Sequence, residues 1–466
     1  MLGTPRCALR PLPKVIGSVP WRRQSCDKVL VVPEAGWSGG RCRPFCALVV
    51  AAFVGLPLSA GDVAGQGLPN LVRGNEHFGR LLLENVHRGD PQRNVVISPI
   101  SLAIILAALQ SNSEDADLPK EIANVFGWGI APPLQISARM LLAAFEEPTR
   151  KPPAPKGPMP PGMPREFVQQ IRESLRKRRE ESWITNTILF RGTNERPGRE
   201  TEPLAQDFVA NASKYFGMKF VNTGSSNPTA NDLRGARKSV GVLPHVSSHN
   251  EMWISSGAHL RTAWKGNTFS TSEPFTAEFR TAGGDKRQVE MITSELSGYP
   301  HAVTDSFEAV VLPCNSAYMV AVLPARRKDI QELERDLVDS PDTLDAPLKE
   351  ELGVVTMPTF HISSERDLRS RLEEMGIRQV FKDLGQIVRI RHSRLTEVEQ
   401  KIDFQIDKQG IRASAETIFG SVYGGIMGDS PSFKMQIDRP FLFLIRDYNT
   451  NALLFIGAVM DPTQTP

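Results

Sequence analysis

The run Ser98-Pro-Ile-Ser-Leu-Ala-Ile-Ile-Leu-Ala-Ala-Leu109 constrains this chain more than any other feature. Ser98 reads as an N-cap and Pro99 as the first helical residue. The helix that follows, Ile100 to Leu109, is apolar on nearly all sides. Such a helix has no face to offer water and belongs deep in a core. A chain of 466 residues that is 40% hydrophobic and 23% charged can build that core. Its length admits one large domain or two to three ordinary ones. Collagen-like, coiled-coil and wholly disordered architectures are excluded.

Around this helix the patterns alternate. Phe78, Leu81, Leu82, Asn85 and Val86 recur at helical spacing, and Asn94–Ile97 reads as a short buried strand. Strand signals cluster at Trp183–Phe190, Met252–Leu260, Phe307–Leu312, Tyr318–Leu323, Val354–Ile362, Phe404–Ile406, Phe433–Ile437, Phe441–Ile445 and Leu453–Val459. Helices are expected near Pro203–Tyr215, Ile330–Leu337 and Asp367–Met375. Eight prolines between Pro148 and Pro164 mark an extended linker, followed by a helix over Arg165–Glu181 with Phe167, Ile171 and Leu175 on one face. The sum is a mixed α+β domain with large antiparallel sheets.

The first 61 residues read as a signal or targeting segment, with residues 62–466 as the mature body. Arg41 and Arg43 precede the apolar stretch Phe45–Leu58, and small residues follow, with cleavage expected after Gly61 or Gly65. The stretch holds Pro57 and is short of the roughly 20 residues a membrane span needs, and no later stretch is long enough. The forty-odd residues before it leave a type II anchor or a start codon set too far upstream as alternatives. Residues 1–60 carry net +6, so the whole-chain charge of +3 conceals a mildly acidic body at −3 and makes no case for nucleic acid. Four of the five cysteines (Cys7, Cys26, Cys42, Cys46) lie in the leader, which leaves Cys314 alone and the body without an internal disulfide. Asn211-Ala-Ser213 is a glycosylation sequon that a secretory route would expose to modification.

The C-terminal run Met435-Gln-Ile-Asp-Arg-Pro-Phe-Leu-Phe-Leu-Ile-Arg446, followed by Leu454-Phe-Ile-Gly457, resembles the serpin signature. The resemblance extends through Asn94-x-x-x-Ser98-Pro-x-Ser101, Phe275-x-x-x-Phe279, Val289-Glu-Met291, Val311-Leu-Pro313, Val322-Leu-Pro324, Met357-Pro-Thr-Phe360, Asp367-Leu368, Met375-Gly-Ile377 and Phe381, in the family's order. It covers Leu68 to the end, making residues 62–466 a single serpin domain. It implies three β-sheets, eight or nine helices and an exposed reactive loop, here 410–433, that baits a protease. It also implies a mechanism in which the cut loop, still carrying the protease as an acyl-enzyme, inserts into the central sheet. Fourteen inserted residues at about 3.3 Å each would carry that cargo about 45 Å.

The loop can be tested for insertion by its alternation. Gly410 matches the family's hinge glycine. On a strand, Ile411, Ala413, Ala415, Thr417 and Phe419 share one small or apolar face, while Arg412, Ser414 and Glu416 share the other. This register buries no charge, and an unpaired buried charge would cost several kcal/mol. Ile411 stands where inhibitory members carry a small hydroxyl residue, and Lys408 where an acidic one is usual. The resemblance places Asn94, Ser98, Ser101, Ser256 and Gln400 in a polar network beneath the sheet. Ser256 and Gln400 there replace the usual asparagine and histidine and retain donors and acceptors. Trp264 matches the tryptophan at the top of the sheet where insertion starts; without the resemblance it reads as a plain core aromatic.

Counting from the hinge puts the scissile bond near Tyr423-Gly424-Gly425, and counting back from Asp438-Arg-Pro440 shifts it toward Met427-Gly-Asp429. No Lys or Arg lies between Arg412 and Lys434, which disfavours trypsin- and thrombin-like targets. Tyr423 suits a chymotrypsin-like pocket, and Met427 or Ile426 an elastase- or subtilisin-like one. The insert 149–181 carries net +5, and the family can bind heparin-like polyanions with a basic helix near this place. Arg172, Arg176, Lys177, Arg178 and Arg179 are the candidate contacts for a sulfated polysaccharide. A solvated helix end or a dibasic processing site reads the same residues differently.

An enzyme is disfavoured: no Gly-x-Ser-x-Gly, P-loop or His-Glu-x-x-His motif occurs. His245-x-x-x-His249 lacks a third ligand, so no metal and no cofactor is expected. The expectation is a secreted, monomeric suicide inhibitor of a serine protease in the extracellular space. A non-inhibitory serpin acting as carrier, chaperone or polyanion-binding scaffold is the alternative, and residence in a secretory compartment the alternative location.

Overall fold

In the computed structural model the described residues are 64–113, 117–127, 134–146, 181–190, 205–222, 252–266, 268–269, 272–345, 347–382, 384, 395, 397–413 and 430–464. The leader, Arg172, Arg176, Lys177, Arg178 and Arg179 of the insert, His245, His249, and Ala415, Thr417, Tyr423, Gly424 and Met427 of the loop lie outside them. Ser256 has a described backbone position only.

The described residues open with α1 (Ala64–Arg88), β1 (Val95–Ile97), α2 (Pro99–Ser111), α3 (Asp117–Phe126) and α4 (Leu134–Glu146). Then come β2 (Glu181–Phe190), α5 (Gln206–Phe216), β3 (Met218–Asn222) and β4 (Met252–Ala263). A run of strands follows: β5 (Phe275–Arg280), β6 (Lys286–Thr293), β7 (Ser297–Val303), β8 (Phe307–Pro313) and β9 (Ala317–Pro324). After α6 (Ile330–Asp339) come β10 (Lys349–Pro358), β11 (Phe360–Asp367) and α7 (Arg369–Met375). The chain closes with β12 (Glu397–Asp407), β13 (Gly410–Ala413), β14 (Phe433–Gln436), β15 (Phe441–Asp447) and β16 (Leu453–Val459).

Two sheets form. One runs β11-β12-β13-β4-β2-β3; the other runs β1-β16-β15-β9-β8-β7-β10-β6-β5, with β14 added beside β10. The three sheets implied by the family appear as two hydrogen-bonded sheets because β10 joins two of them. Its Lys349–Gly353 half pairs with β7, and its Thr356–Pro358 half with β6. The fold is α+β, with segregated helices and largely antiparallel sheets.

The apolar helix occupies the place its composition demands. Pro99 to Gln110 of α2 are all buried, and the helix touches β16 of one sheet and β2 and β4 of the other. Ser98 takes extended backbone before Pro99, but its hydroxyl donates to Leu454 O at 2.8 Å instead of capping the helix. Phe360 and Phe404 of the first sheet meet Phe441, Phe443 and Phe455 of the second, with Phe404 and Phe443 stacked at 4.9 Å. Each such ring contributes roughly 1.5–3 kcal/mol by burial. This aromatic seam fixes the face of β12, and with it the place where β13 can sit.

Candidate functional site

The hinge of the expected loop is a strand in the sheet. β13 lies between β12 and β4, antiparallel to both, from Gly410 (opposite Asp407 and Ala263) to Ala413 (opposite Phe404 and Leu260). Farther along the sheet β12 and β4 pair directly and in parallel, from Glu397↔Trp253 to Gln400↔Ser256. The two strands are therefore wedged apart at one end and closed at the other. The expected exposed loop of 410–433 is corrected at both ends, since 410–413 is β13 and Phe433 begins β14. Glu181, the last residue of the expected helix, instead opens β2, and the rest of that helix lies outside the described residues.

Gly410 is required where it stands. Its φ is +147°, and a Cβ there would come within 2.8 Å of Ala263 Cα and overlap the carbonyl oxygen of Thr262. Only glycine allows the backbones so close. Ile411 is fully buried, so its branched side chain is accommodated in the sheet. Arg412, on the opposite face, is half-buried, with its guanidinium 3.0 Å from Asp407 Oδ2.

The turn that feeds β13 is organised by Asp407. Its Oδ1 accepts the main-chain N–H of Gln409 at 2.8 Å and of Gly410 at 3.2 Å. Its carbonyl accepts the indole N–H of Trp264 at 2.8 Å. Trp264 is 5% exposed, rests on Phe269, and donates its own main-chain N–H to Gln409 O at 3.4 Å. Lys408, the departure from the family's acidic residue, pairs with Glu273 at 3.2 Å. Opposing these ties, Arg412 faces Arg261 directly across β4, and like charges directly opposite destabilise a ladder. Two residues along β4, burial and then the charge of Arg261 lower the His259 pKa to about 4.

Beneath the closed end lies the polar cluster. Gln400, 3% exposed, accepts the N–H of Ser98 at 3.0 Å and donates to Ser98 O at 2.9 Å and Ser101 Oγ at 3.2 Å. One glutamine side chain thus ties β12 to the start of α2. Ser256 is the register partner of Gln400 on β4. Asn94 does not join the cluster, which corrects its expected place. Its Oδ1 accepts the N–H groups of Met460 and Asp461, and its Nδ2 donates to Asp461 O at 2.7 Å, anchoring the C-terminal segment instead. Asn211 lies inside α5, half-buried, with its amide donating to Asn112 Oδ1 at 3.2 Å.

Sequence reasoning passed over Asp407 and Glu273. An Asp followed by Lys-Gln-Gly carries the signal of a side-chain-bonded turn, so Asp407 could have been found; Glu273 reaches Lys408 only through the fold. Among the described residues, no cluster of His, Cys, Asp or Glu could hold a metal ion. No described helix is long and apolar enough to cross a membrane.

Known proteins agree with this architecture. The family described as "Serpin (serine protease inhibitor)" matches residues 73–462. Antithrombin-III of Bos taurus is 27% identical over 278 residues, which is 57% of this chain and 57% of that protein's length. Iripin-1 of Ixodes ricinus is 23% identical over 84% of this chain and 95% of its own. Among solved structures, human thyroxine-binding globulin superposes with TM-score 0.67 at 18% identity, covering 85% of this chain and all of that one. Mouse protein-Z dependent protease inhibitor gives 0.66 at 17% identity over 86% and 99%. Likeness at such identities carries the fold, while the family match spans most of the chain, with the wedged sheet at its centre. The chain belongs to the serpin family of serine protease inhibitors.

Proposed function

We propose that the chain is a secreted suicide inhibitor of a serine protease with chymotrypsin-, elastase- or subtilisin-like specificity. One observation carries this reading: β13 already sits between β12 and β4, in a register that the loop can extend. Continued along β12, that register brings Glu416 opposite Lys401 and Thr417 opposite Gln400, with Ala415 and Phe419 on the core side. A charge pair, a hydroxyl beside an amide, and apolar groups over the core are what a stable inserted strand needs. The protease serine attacks the scissile carbonyl and the amide nitrogen leaves with a proton from the protease's histidine. The acyl ester then travels with the inserting strand before water can cleave it.

The missing Lys and Arg between Arg412 and Lys434 support the specificity, with Tyr423, Gly424 and Met427 as the candidate positions. The apolar stretch Phe45–Leu58 supports secretion, and the net +5 of residues 149–181 supports a sulfated polysaccharide as modulator. A relative in fold, protease nexin-1, has been solved with heparin.

The test is incubation of residues 62–466 with chymotrypsin, pancreatic elastase and subtilisin, read by denaturing gels and mass spectrometry. A denaturant-resistant covalent complex is expected, together with a released C-terminal peptide that fixes the scissile bond. Clean cleavage without a complex and without a rise in melting temperature of the cut chain would favour the carrier reading.

A further inference from the structure

Strand β11 is the edge of its sheet, and its core-facing row ends on a cation. Phe360, Ile362 and Ser364 of that row are buried, and the next residue on the same face is Arg366. Its guanidinium is half-buried on the core side of the sheet edge, where β11 packs on β1. The Nε donates to Ser364 Oγ at 3.1 Å, and among the described residues no carboxylate pairs with it. Its neighbours in sequence are engaged elsewhere. Glu365, on the other face, pairs with Lys401. Asp367 accepts the main-chain N–H groups of Arg369 at 3.0 Å and Val398 at 3.2 Å.

Two further guanidinium groups stand at this corner. Arg371 of α7 lies over the end of α1, with its Nη2 2.5 Å from the place a Cβ on Gly89 would take. Arg93 occupies the turn between α1 and β1. Each has one nearby carboxylate: Asp90 Oδ2 is 3.5 Å from Arg93 Nε, and Glu374 Oε2 is 3.1 Å from Arg371 Nη1. Both carboxylates are about half exposed, and pairs of that kind hold their partners weakly. Burial lowers the pKa of Arg366; Asp90 opposes this, and the charges of Arg93 and Arg371 add to it. A guanidinium keeps its proton under such a load, so the charge stays.

We propose that Arg366, Arg371 and Arg93 form a binding site for a tetrahedral oxyanion, a phosphate or sulfate group. The three side chains come from β11, α7 and the turn before β1, so their donors approach from different elements. A flat carboxylate can satisfy one guanidinium fork, whereas a tetrahedral dianion offers oxygens on every side. Such a group would offset the charge that burial penalises at Arg366 and would tie the three elements together. The site uses no residue of the reactive loop or of the basic insert 149–181.

The test titrates the protein with inorganic phosphate, inorganic sulfate and a sulfated disaccharide, while chloride holds the ionic strength constant, and follows the melting temperature. A saturable rise with the oxyanions is expected, since a ligand of the folded state stabilises by mass action. Arg366→Gln should weaken the apparent affinity at least about tenfold, the loss of one charge-assisted contact. Arg371→Gln should act in the same direction and decides the matter if Arg366→Gln folds poorly. Arg88→Gln, at an exposed arginine already paired with Glu84, keeps the parental affinity. In chloride alone Arg366→Gln should melt no lower than the parent, because it removes repulsion between cations. A response to the disaccharide at far lower concentration, lost in Arg366→Gln, assigns the site to a sulfated chain; equal responses assign it to the free ion. A rise that follows ionic strength whichever anion is added overturns the site. So does a folded Arg366→Gln that melts lower in chloride yet keeps the parental phosphate response, which would make Arg366 a structural residue.

Discussion

Asp407 and Arg412 face each other at 3.0 Å across the turn that leads β13 into the sheet, while the second oxygen of Asp407 accepts two main-chain N–H groups of that turn. Both side chains are under one-fifth exposed, so the pair is shielded more than an ordinary surface pair. It counters the repulsion between Arg412 and Arg261 on the other flank. Arg412→Ala is a mixed change, since it removes attraction and repulsion together. Asp407→Asn removes the attraction alone. It is expected to raise amide hydrogen exchange across Gly410–Ala413 about five- to tenfold, corresponding to roughly 1 kcal/mol of local opening. Unchanged exchange would show that Trp264 and the backbone ladders alone hold the strand.

Gly410→Ala acts more severely at the same place. The added methyl meets the backbone of β4 at Thr262 and Ala263, neither of which is a flexible side chain. Insertion of the hinge and an alanine at φ +147° are incompatible, so β13 is expected to leave the sheet. The indole of Trp264 then loses the carbonyl of Asp407, and its fluorescence should move to the red. A parental spectrum together with parental exchange at Ile411 would refute this.

Much of the fold is legible in the sequence, for a physical reason. The strands at Phe307–Leu312, Tyr318–Leu323, Phe441–Ile445 and Leu453–Val459 are dense in buried apolar residues and recur within two residues of the observed limits. Strands β5 and β6 gave no such signal because half of their side chains are exposed and polar. The expected strand Val354–Ile362 is two strands broken at Thr359, in different sheets. Of the site, Gly410 and Ile411 lie on β13 where the alternation could be read. The ties that hold them could not be read, since Lys408–Glu273 joins residues 135 positions apart and needs the fold to exist first.

Gln400 offers a test of the closed end of the sheet. Its side chain makes three bonds to Ser98 and Ser101 in a buried site. Gln400→Ala leaves the Ser98 N–H without that acceptor, and a buried unsatisfied group with its lost bonds costs about 2–4 kcal/mol. A lower urea midpoint at unchanged slope is expected. A shift equivalent to under about 0.5 kcal/mol would mean that water replaces the amide, by the same linear relation.

His259 makes stability depend on pH. Burial first, and the neighbouring charge of Arg261 second, hold its pKa down to about 4. The folded state therefore binds the proton less tightly than the unfolded chain, whose imidazole titrates near the ordinary value of about 6.5. Its contribution is complete above the unfolded value and declines as pH falls through the interval from about 6.5 to about 4. The loss is on the order of 3 kcal/mol at the acid end. His259→Gln is expected to flatten the pH dependence of the urea midpoint across that interval. A curve of parental shape would assign the acid sensitivity to other groups.

The heaviest electrostatic load lies away from the loop, on Glu76. Its carboxylate accepts from Arg80 of the same helix and from Arg446 of β15, whose other amino group reaches Asp345 Oδ1 at 2.7 Å. Both guanidinium side chains are 2% exposed. Burial opposes the charge of Arg446, yet Glu76 and Asp345 outweigh it and hold the pKa well above the ordinary arginine value. The charge is therefore permanent, and removing Glu76 leaves the half-exposed Asp345 as the carboxylate paired with it. Glu76→Ala is expected to cost about 3–5 kcal/mol, the range for breaking a buried pair. Asp345→Asn, at a side chain 47% exposed, should cost under about 1 kcal/mol because water can take its place. Urea midpoints of the two variants decide the matter. If they fall together, Arg446 is held by both carboxylates equally and the burial difference between them carries no energetic weight.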